Sequence, residues 1–189
     1  ALEAFRKDFV ELENNGAVPV ILIYVSTYGG DVYNLFAMVD IIENSNKPVY
    51  TIGLGKVMSA GVLLLASGHV RYMTKHCTAM LHHAHSFSVG NHNEMQNDYE
   101  ELTRLNIMML ELLAEKCQKP RDFFVEYIEN MRNLDSYINA SQCVECGLID
   151  HIGIPLFTTE LCVIEPEPPK IKKSRRKTTP KSRKSTKRG

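Results

Sequence analysis

The sequence offers no apolar run near the ~20 residues that a membrane-crossing helix needs, so no membrane partner is expected. It shows no internal repeat, which argues against solenoids and propellers. Nothing resembling a secretory leader opens it. Its five cysteines are an odd number, and the expectation is reduced thiols in a cytosol-like compartment. Cys143 and Cys146 form a C-x-x-C pair, but no second ligand pair of similar spacing accompanies it. That leaves two small residues on one helix face as the plain reading, and no metal site is expected. The last twenty residues contain no acid, and no apolar residue follows Ile171.

This last absence changes the meaning of the net charge. The 189 residues are formally neutral, with 22 basic and 22 acidic side chains. Eleven of the basic ones lie in residues 170–189, so residues 1–169 carry eleven basic against 22 acidic residues. An acidic body with a basic tail is a different object from a neutral protein. The Glu165-Pro-Glu-Pro-Pro stretch ends the foldable part. The expected domain is 1–160, followed by a Pro-rich linker and disordered basic tail over 161–189, too polar to offset its ordering entropy. Such a tail suits nucleic acid, through counterion release, or an acidic protein surface, including that of its own body.

The apolar fraction, 44%, supports a sizeable core. Leu2, Phe5, Phe9 and Leu12 recur at helical spacing. Residues 18–25 form an apolar, β-branched run that suits a strand covered on both faces. Gly29-Gly30 break the chain, and a helix is expected from Asp31. A second buried strand is predicted over 48–54, an apolar helix from Ser59 to Ala66, and short strands over 70–73 and 77–82. A polar stretch, 84–92, precedes a long amphipathic helix from Asn93 to Lys116. Pro120 suits the first turn of another helix. Asn139 suits the N-cap of a short one ending at Gly147, and Leu148–Ile152 reads as a last strand. The alternation of strands and helices is that of an α/β domain.

Three local features can carry chemistry, and each has a plain alternative. Tyr28-Gly29-Gly30-Asp31-Val32 follows a buried strand, where glycines permit unusual dihedrals and close backbone approach; an ordinary strand-to-helix turn needs the same. Ser59 lies in Gly55-Lys-Val-Met-Ser-Ala-Gly61 at a strand-to-helix junction. There the first-turn amides lack intrahelical acceptors, which suits a nucleophile beside an oxyanion site. It suits a simple N-cap serine equally well. Met80-Leu-His82-His83-Ala-His85 ends an apolar strand in histidines. An imidazole there can serve as general base, bind metal with further ligands, or merely lie on the surface.

Taken in order, these segments resemble the ClpP peptidase family over roughly residues 1–155. ILIYVSTYGG, ending at Gly30, is similar to the family's strand and Ser-Pro-Gly-Gly turn, and the 29 positions between Gly30 and Ser59 resemble the family spacing. GKVMSAGVLLL is similar to its Gly-x-Ala-x-Ser-Met-Gly-x-x-Leu-Leu, and Met80-Leu81-His82-His83-Ala84 to its Met-Ile-His-Gln-Pro. Leu134–Ala140 and Glu145–Asp150 are similar to its Arg-Asp…Phe-x-Ser-Ala and Glu-Tyr-Gly-Leu-x-Asp. Tyr28, Ala60, His83-Ala84 and Leu134 depart from the family residues, and Ser-Ala-Gly with Gly-Gly-Asp-Val resembles divergent phage members.

The resemblance implies a ClpP/crotonase-like α/β fold of stacked β-α-β units with a protruding handle helix. It implies Ser59 as nucleophile, His82 as base, Asp135 as orienting acid, and the amides of Gly30 and Ala60 as oxyanion hole. It further implies substrate pairing along an edge strand over 86–90, stacked heptameric rings forming a tetradecamer, unfolded polypeptide substrates, and an AAA+ unfoldase. That unfoldase is expected to use ATP, and no cofactor is expected in this chain. A cytoplasmic location, or plastid stroma or infected-cell cytoplasm, is expected. The family's N-terminal strand and axial loop are expected to be missing ahead of Ala1. The alternatives are an inactive structural subunit of a mixed ring, a phage head-maturation peptidase, and an acyl-CoA enzyme of the crotonase type.

Overall fold

The computed structural model describes residues 1–131 and 134–156. The expected linker and tail, 161–189, together with Cys162, lie outside the described residues.

The architecture is mixed α/β, as the sequence implied, and it is organised around one long central strand. Helix α1 (Leu2–Asn14) leads to strand β1 (Ile21–Thr27), helix α2 (Val32–Glu43) and strand β2 (Val49–Met58). Helix α3 (Ala60–Ala66) is followed by strands β3 (Val70–Met73) and β4 (Thr78–Leu81), then by the long helix α4 (His92–Lys116). Helix α5 (Phe123–Asn130), strand β5 (Ser136–Asn139), helix α6 (Ala140–Glu145) and strand β6 (His151–Ile152) complete the described chain.

The sheet runs β5-β4-β2-β3-β6, with β1 on the other side of β2. All pairings are parallel except β4–β5. The first half of β2, Tyr50–Gly53, pairs with β3, and its last three residues, Lys56–Met58, pair with β4. Between them Gly55 takes φ 64° and the β1 register shifts, so the strand bends without ending. This corrects the expectation of a strand stopping at residue 54: a glycine in a strand can mark a bulge rather than a stop. The expected 18–25 strand becomes 21–27, because Pro19 cannot donate to a ladder.

Strand β5 departs from the sequence expectation, which has no element over 136–139. It has only four residues, with Ser136 and Ile138 buried and Tyr137 and Asn139 exposed, too short for alternation to stand out. The expected final strand over 148–152 shrinks to His151–Ile152. Leu148 and Ile149 are buried in the core, and Asp150 turns to Arg71 instead. The helix expected at Pro120 begins at Phe123, after a turn in which Phe123 N–H donates to Pro120 O.

Helix α4 is ~37 Å long at 1.5 Å per residue and starts at a capping box formed by Asn91 and Glu94. Residues 91–100 are exposed, while Leu105, Met109, Leu110, Leu113 and Ala114 pack into the core. Burying each large side chain contributes roughly 1.5–3 kcal/mol, so the C-terminal half anchors the helix and the N-terminal half projects. Arg71 locks this end: it meets the Asp150 carboxylate at 2.6 Å and donates to the carbonyls of Lys116 and Gly147. Among the described residues, no helix is long and apolar enough to cross a membrane.

Candidate active site

Ser59 is one of two non-glycine residues with positive φ among the described residues. Its φ of 54° and ψ of −127° lie where side chains are rarely tolerated. The chain enters from the end of β2 and leaves into α3, so the hydroxyl is thrust out at a tight corner. Two backbone bonds hold the corner: Ser59 N–H donates to Met80 O at 2.8 Å, and Val62 N–H to Ser59 O at 2.9 Å. Ser59 occupies the N-cap position of α3, yet its side chain makes no cap hydrogen bond. The plain N-cap reading therefore fails, and the hydroxyl points elsewhere.

It points to His82. Ser59 Oγ lies 2.7 Å from His82 Nε2, and His82 Nδ1 lies 3.5 Å from Asp135 Oδ1. A carboxylate beside Nδ1 favours the proton there, which leaves Nε2 as acceptor and the serine hydroxyl as donor. The His82 side chain is only 14% exposed, unlike a surface histidine, whereas Asp135 is 50% exposed. Burial is the largest influence on His82 and pushes its pKa below the ordinary 6.5, with His85 adding to that effect and Asp135 opposing it. The imidazole is thus biased to the neutral form that can accept a proton. The His85 ring stands edge-on to His82, 4.9 Å between centroids.

The glycine turn closes the other side. Thr27 Oγ1 accepts from Gly29 N–H at 3.0 Å, and Asp31 caps α2 by accepting from Asn34 N–H at 2.8 Å. Gly29 has φ 104°, and a Cβ there would lie 2.8 Å from Ser59 Cβ and 3.3 Å from Ala60 N. Only glycine permits that approach. Gly30 follows with open space around it. A cavity of about 280 Å³ opens beside the turn, lined by Gly30, Leu35, Met38, Ala60 and Leu64, among others. All five residues singled out from sequence, Gly30, Ser59, Ala60, His82 and Asp135, therefore belong to this one corner. Residues 86–90, expected as an edge strand, belong to no ladder, and Phe87 and Val89 are exposed.

No thiol competes as nucleophile among the described residues. Cys77, Cys117, Cys143 and Cys146 are buried and free. Burial pushes Cys77 up to about 11 and Cys117 up to about 12, and raises Cys143 and Cys146 as well. No group of three side chains among the described residues could hold a metal ion.

Sequence reasoning missed two contributors. Asn106 of α4 accepts from Ala84 N–H at 2.8 Å and sits 3.2 Å from His83 Nδ1, fixing the chain just beyond His82. Its signal was faint: a polar residue beside Leu105, at the edge of a buried stripe. Lys56 places its ammonium 3.6 Å over the Tyr28 ring, a contact between two segments that nothing local connects.

Comparison with known proteins shows the family to which the chain belongs. The family model described as Clp protease matches residues 3–155. The ATP-dependent Clp protease proteolytic subunit 2 of Treponema denticola is 30% identical over 153 residues, covering 80% of this chain and 74% of that protein. The protein of the same description from Treponema pallidum is 30% identical over 152 residues, covering 79% and 74%. A family match over most of the chain, on a mixed α/β fold whose segments run in the same order, makes this protein a member of the Clp protease family.

Proposed function

We propose that the chain is an active serine endopeptidase subunit that hydrolyses unfolded polypeptides through Ser59, His82 and Asp135. The supporting observation is the 2.7 Å contact between a hydroxyl on a strained corner and a largely buried imidazole. Ser59 Oγ attacks the scissile carbonyl while His82 Nε2 takes its proton and later returns it to the leaving amine. Asp135 holds the tautomer and stabilises the imidazolium. The amides of Gly30 and Ala60 receive the developing oxyanion, each worth ~100- to 1,000-fold in turnover. The subunit works in the cytoplasm within stacked rings, fed by an AAA+ unfoldase that alone uses ATP.

A second reading, a non-catalytic member of a mixed ring, is favoured by one observation: Asp135 is half exposed and 3.5 Å from His82. A fluorophosphonate probe separates the two. Labelling of Ser59 in the assembled full chain, with loss of peptide hydrolysis beyond ~1,000-fold in Ser59→Ala, supports the peptidase. An assembled, folded sample that takes no label supports the structural subunit.

A further inference from the structure

The segment after His82 is tied to α4 at two points. Ala84 N–H and the His83 ring meet Asn106, and four residues later the Ser88 hydroxyl donates to the Asp98 carboxylate. Between the ties the helix advances eight residues, ~12 Å. Four extended residues span ~13 Å. The two lengths are compatible, so the segment can run along the helix from one tie to the other. Phe87 and Val89, on either side of Ser88, are 89% and 81% exposed and face away.

Elementary chemistry settles which end of the Asn106 amide goes where. A backbone N–H can only donate, so the atom meeting Ala84 is the amide oxygen. The amide nitrogen therefore faces His83, and it too can only donate. His83 Nδ1 must then be unprotonated, with the ring proton on Nε2. An imidazolium at 83 would set N–H against N–H and break the contact.

We propose that Asn106 is a positioning residue for His82: its amide, engaged at both ends, fixes the chain one residue beyond the imidazole and holds His83 as the neutral Nε2–H tautomer. This rests on the reading of Ser59 and His82 as nucleophile and base. The tie reaches His82 from the helix that projects from the body, so the placement of α4 and that of the imidazole are mechanically linked.

The test uses the full chain, hydrolysis of a fluorogenic peptide, and ring-nitrogen NMR of the histidines. Asn106→Leu, which loses both contacts, is expected to lower kcat roughly 10- to 100-fold with KM changed less than about two-fold, the pattern of a misplaced reacting group. Asn106→Asp keeps the acceptor for Ala84 and is expected to retain kcat within about three-fold, while drawing the His83 proton to Nδ1. A folded, assembled Asn106→Leu with kcat within about two-fold of the parent overturns the proposal, as does a parent protein whose His83 carries its proton on Nδ1. If Asn106→Leu does not fold, Asn106→Asp decides: a His83 tautomer unmoved by the carboxylate overturns the clamp. A chain that hydrolyses nothing and takes no fluorophosphonate sinks the peptidase reading, whereas the His83 tautomer reports on the clamp alone.

Discussion

Replacing Gly29 with alanine attacks the corner without changing any residue whose side chain is assigned to the chemistry. Two costs follow from the geometry. The backbone holds φ 104°, where a Cβ-bearing residue is strained by ~1–3 kcal/mol. The new methyl would lie 2.8 Å from Ser59 Cβ and 3.0 Å from Met58 O. Restoring an ordinary contact of 3.4 Å requires the turn and the serine corner to separate by about 0.6 Å. Neither can yield by swinging a flexible side chain, because the atoms met are backbone and a Cβ. Catalytic groups tolerate about 0.5 Å of displacement, and 1 Å can cost ~100-fold. The expected outcome is a roughly ten-fold slower reaction of Ser59 with fluorophosphonate. A Tm lower by roughly 4–8 °C corresponds to the ~2 kcal/mol midpoint of the strain, at this chain length. Gly30→Ala is the internal comparison: it has strained φ but no atom within 4 Å, so it should lose stability with a smaller effect on labelling. Gly29→Ala labelling as fast as the parent, with Gly30→Ala slower, would refute the proposed packing of the turn on the nucleophile.

Three further outcomes are expected. Burial and His85 keep His82 below its ordinary 6.5, and only the neutral imidazole accepts the proton; activity should therefore persist below pH 6.5 and fall as pH drops through the lowered value, and His85→Ala should move that limb upward in a pH–kcat/KM profile. Arg71→Met strands Asp150 and two carbonyls in a partly buried site; urea unfolding should show a loss of about 2 kcal/mol, between the exposed and fully buried cases, and a loss indistinguishable from zero would make the lock ornamental. For Asp150, burial raises the pKa but the hydrogen bonds and charge of Arg71 outweigh it and lower it, so the Arg71 contribution should fade as pH falls through the carboxylate range. Finally, nucleic-acid binding in a filter assay should need residues 170–189 and weaken steeply with salt; equal binding by the full chain and a chain without them removes the tail from that role.

How legible the site was in the sequence depended on where each residue sits in its element. Ser59 was readable because the strand, the small residues and the apolar helix around it are all local, and so was the glycine turn. His82 was readable as the end of an apolar run. The bend at Gly55 was not, because a glycine looks the same whether it ends a strand or kinks it. Strand β5 was not, because four residues at the edge of a sheet carry too little periodicity. Asn106 was not, because its partners are 22 and 23 residues away and each is an ordinary loop residue.

The missed strand explains why the three side chains converge at all. Met58 of β2 pairs with Met80 of β4, and Leu81 of β4 pairs with Ser136 of β5. Continued by one step, the parallel ladder brings Ser59 to the end of β4, where its N–H already bonds Met80 O. One step further on the antiparallel ladder sets His82 opposite Asp135. The three groups are thus the first residues beyond three adjacent strands, and their spacing is a consequence of register rather than of loop conformation. A one-residue slip of β4 would turn His82 to the opposite face, and the fully buried Ala79 would go with it. Core packing and the placement of the imidazole are therefore enforced by the same ladder, which is why His82 and Asp135 can be held on strands of only four residues once those strands are paired beside the ten-residue β2.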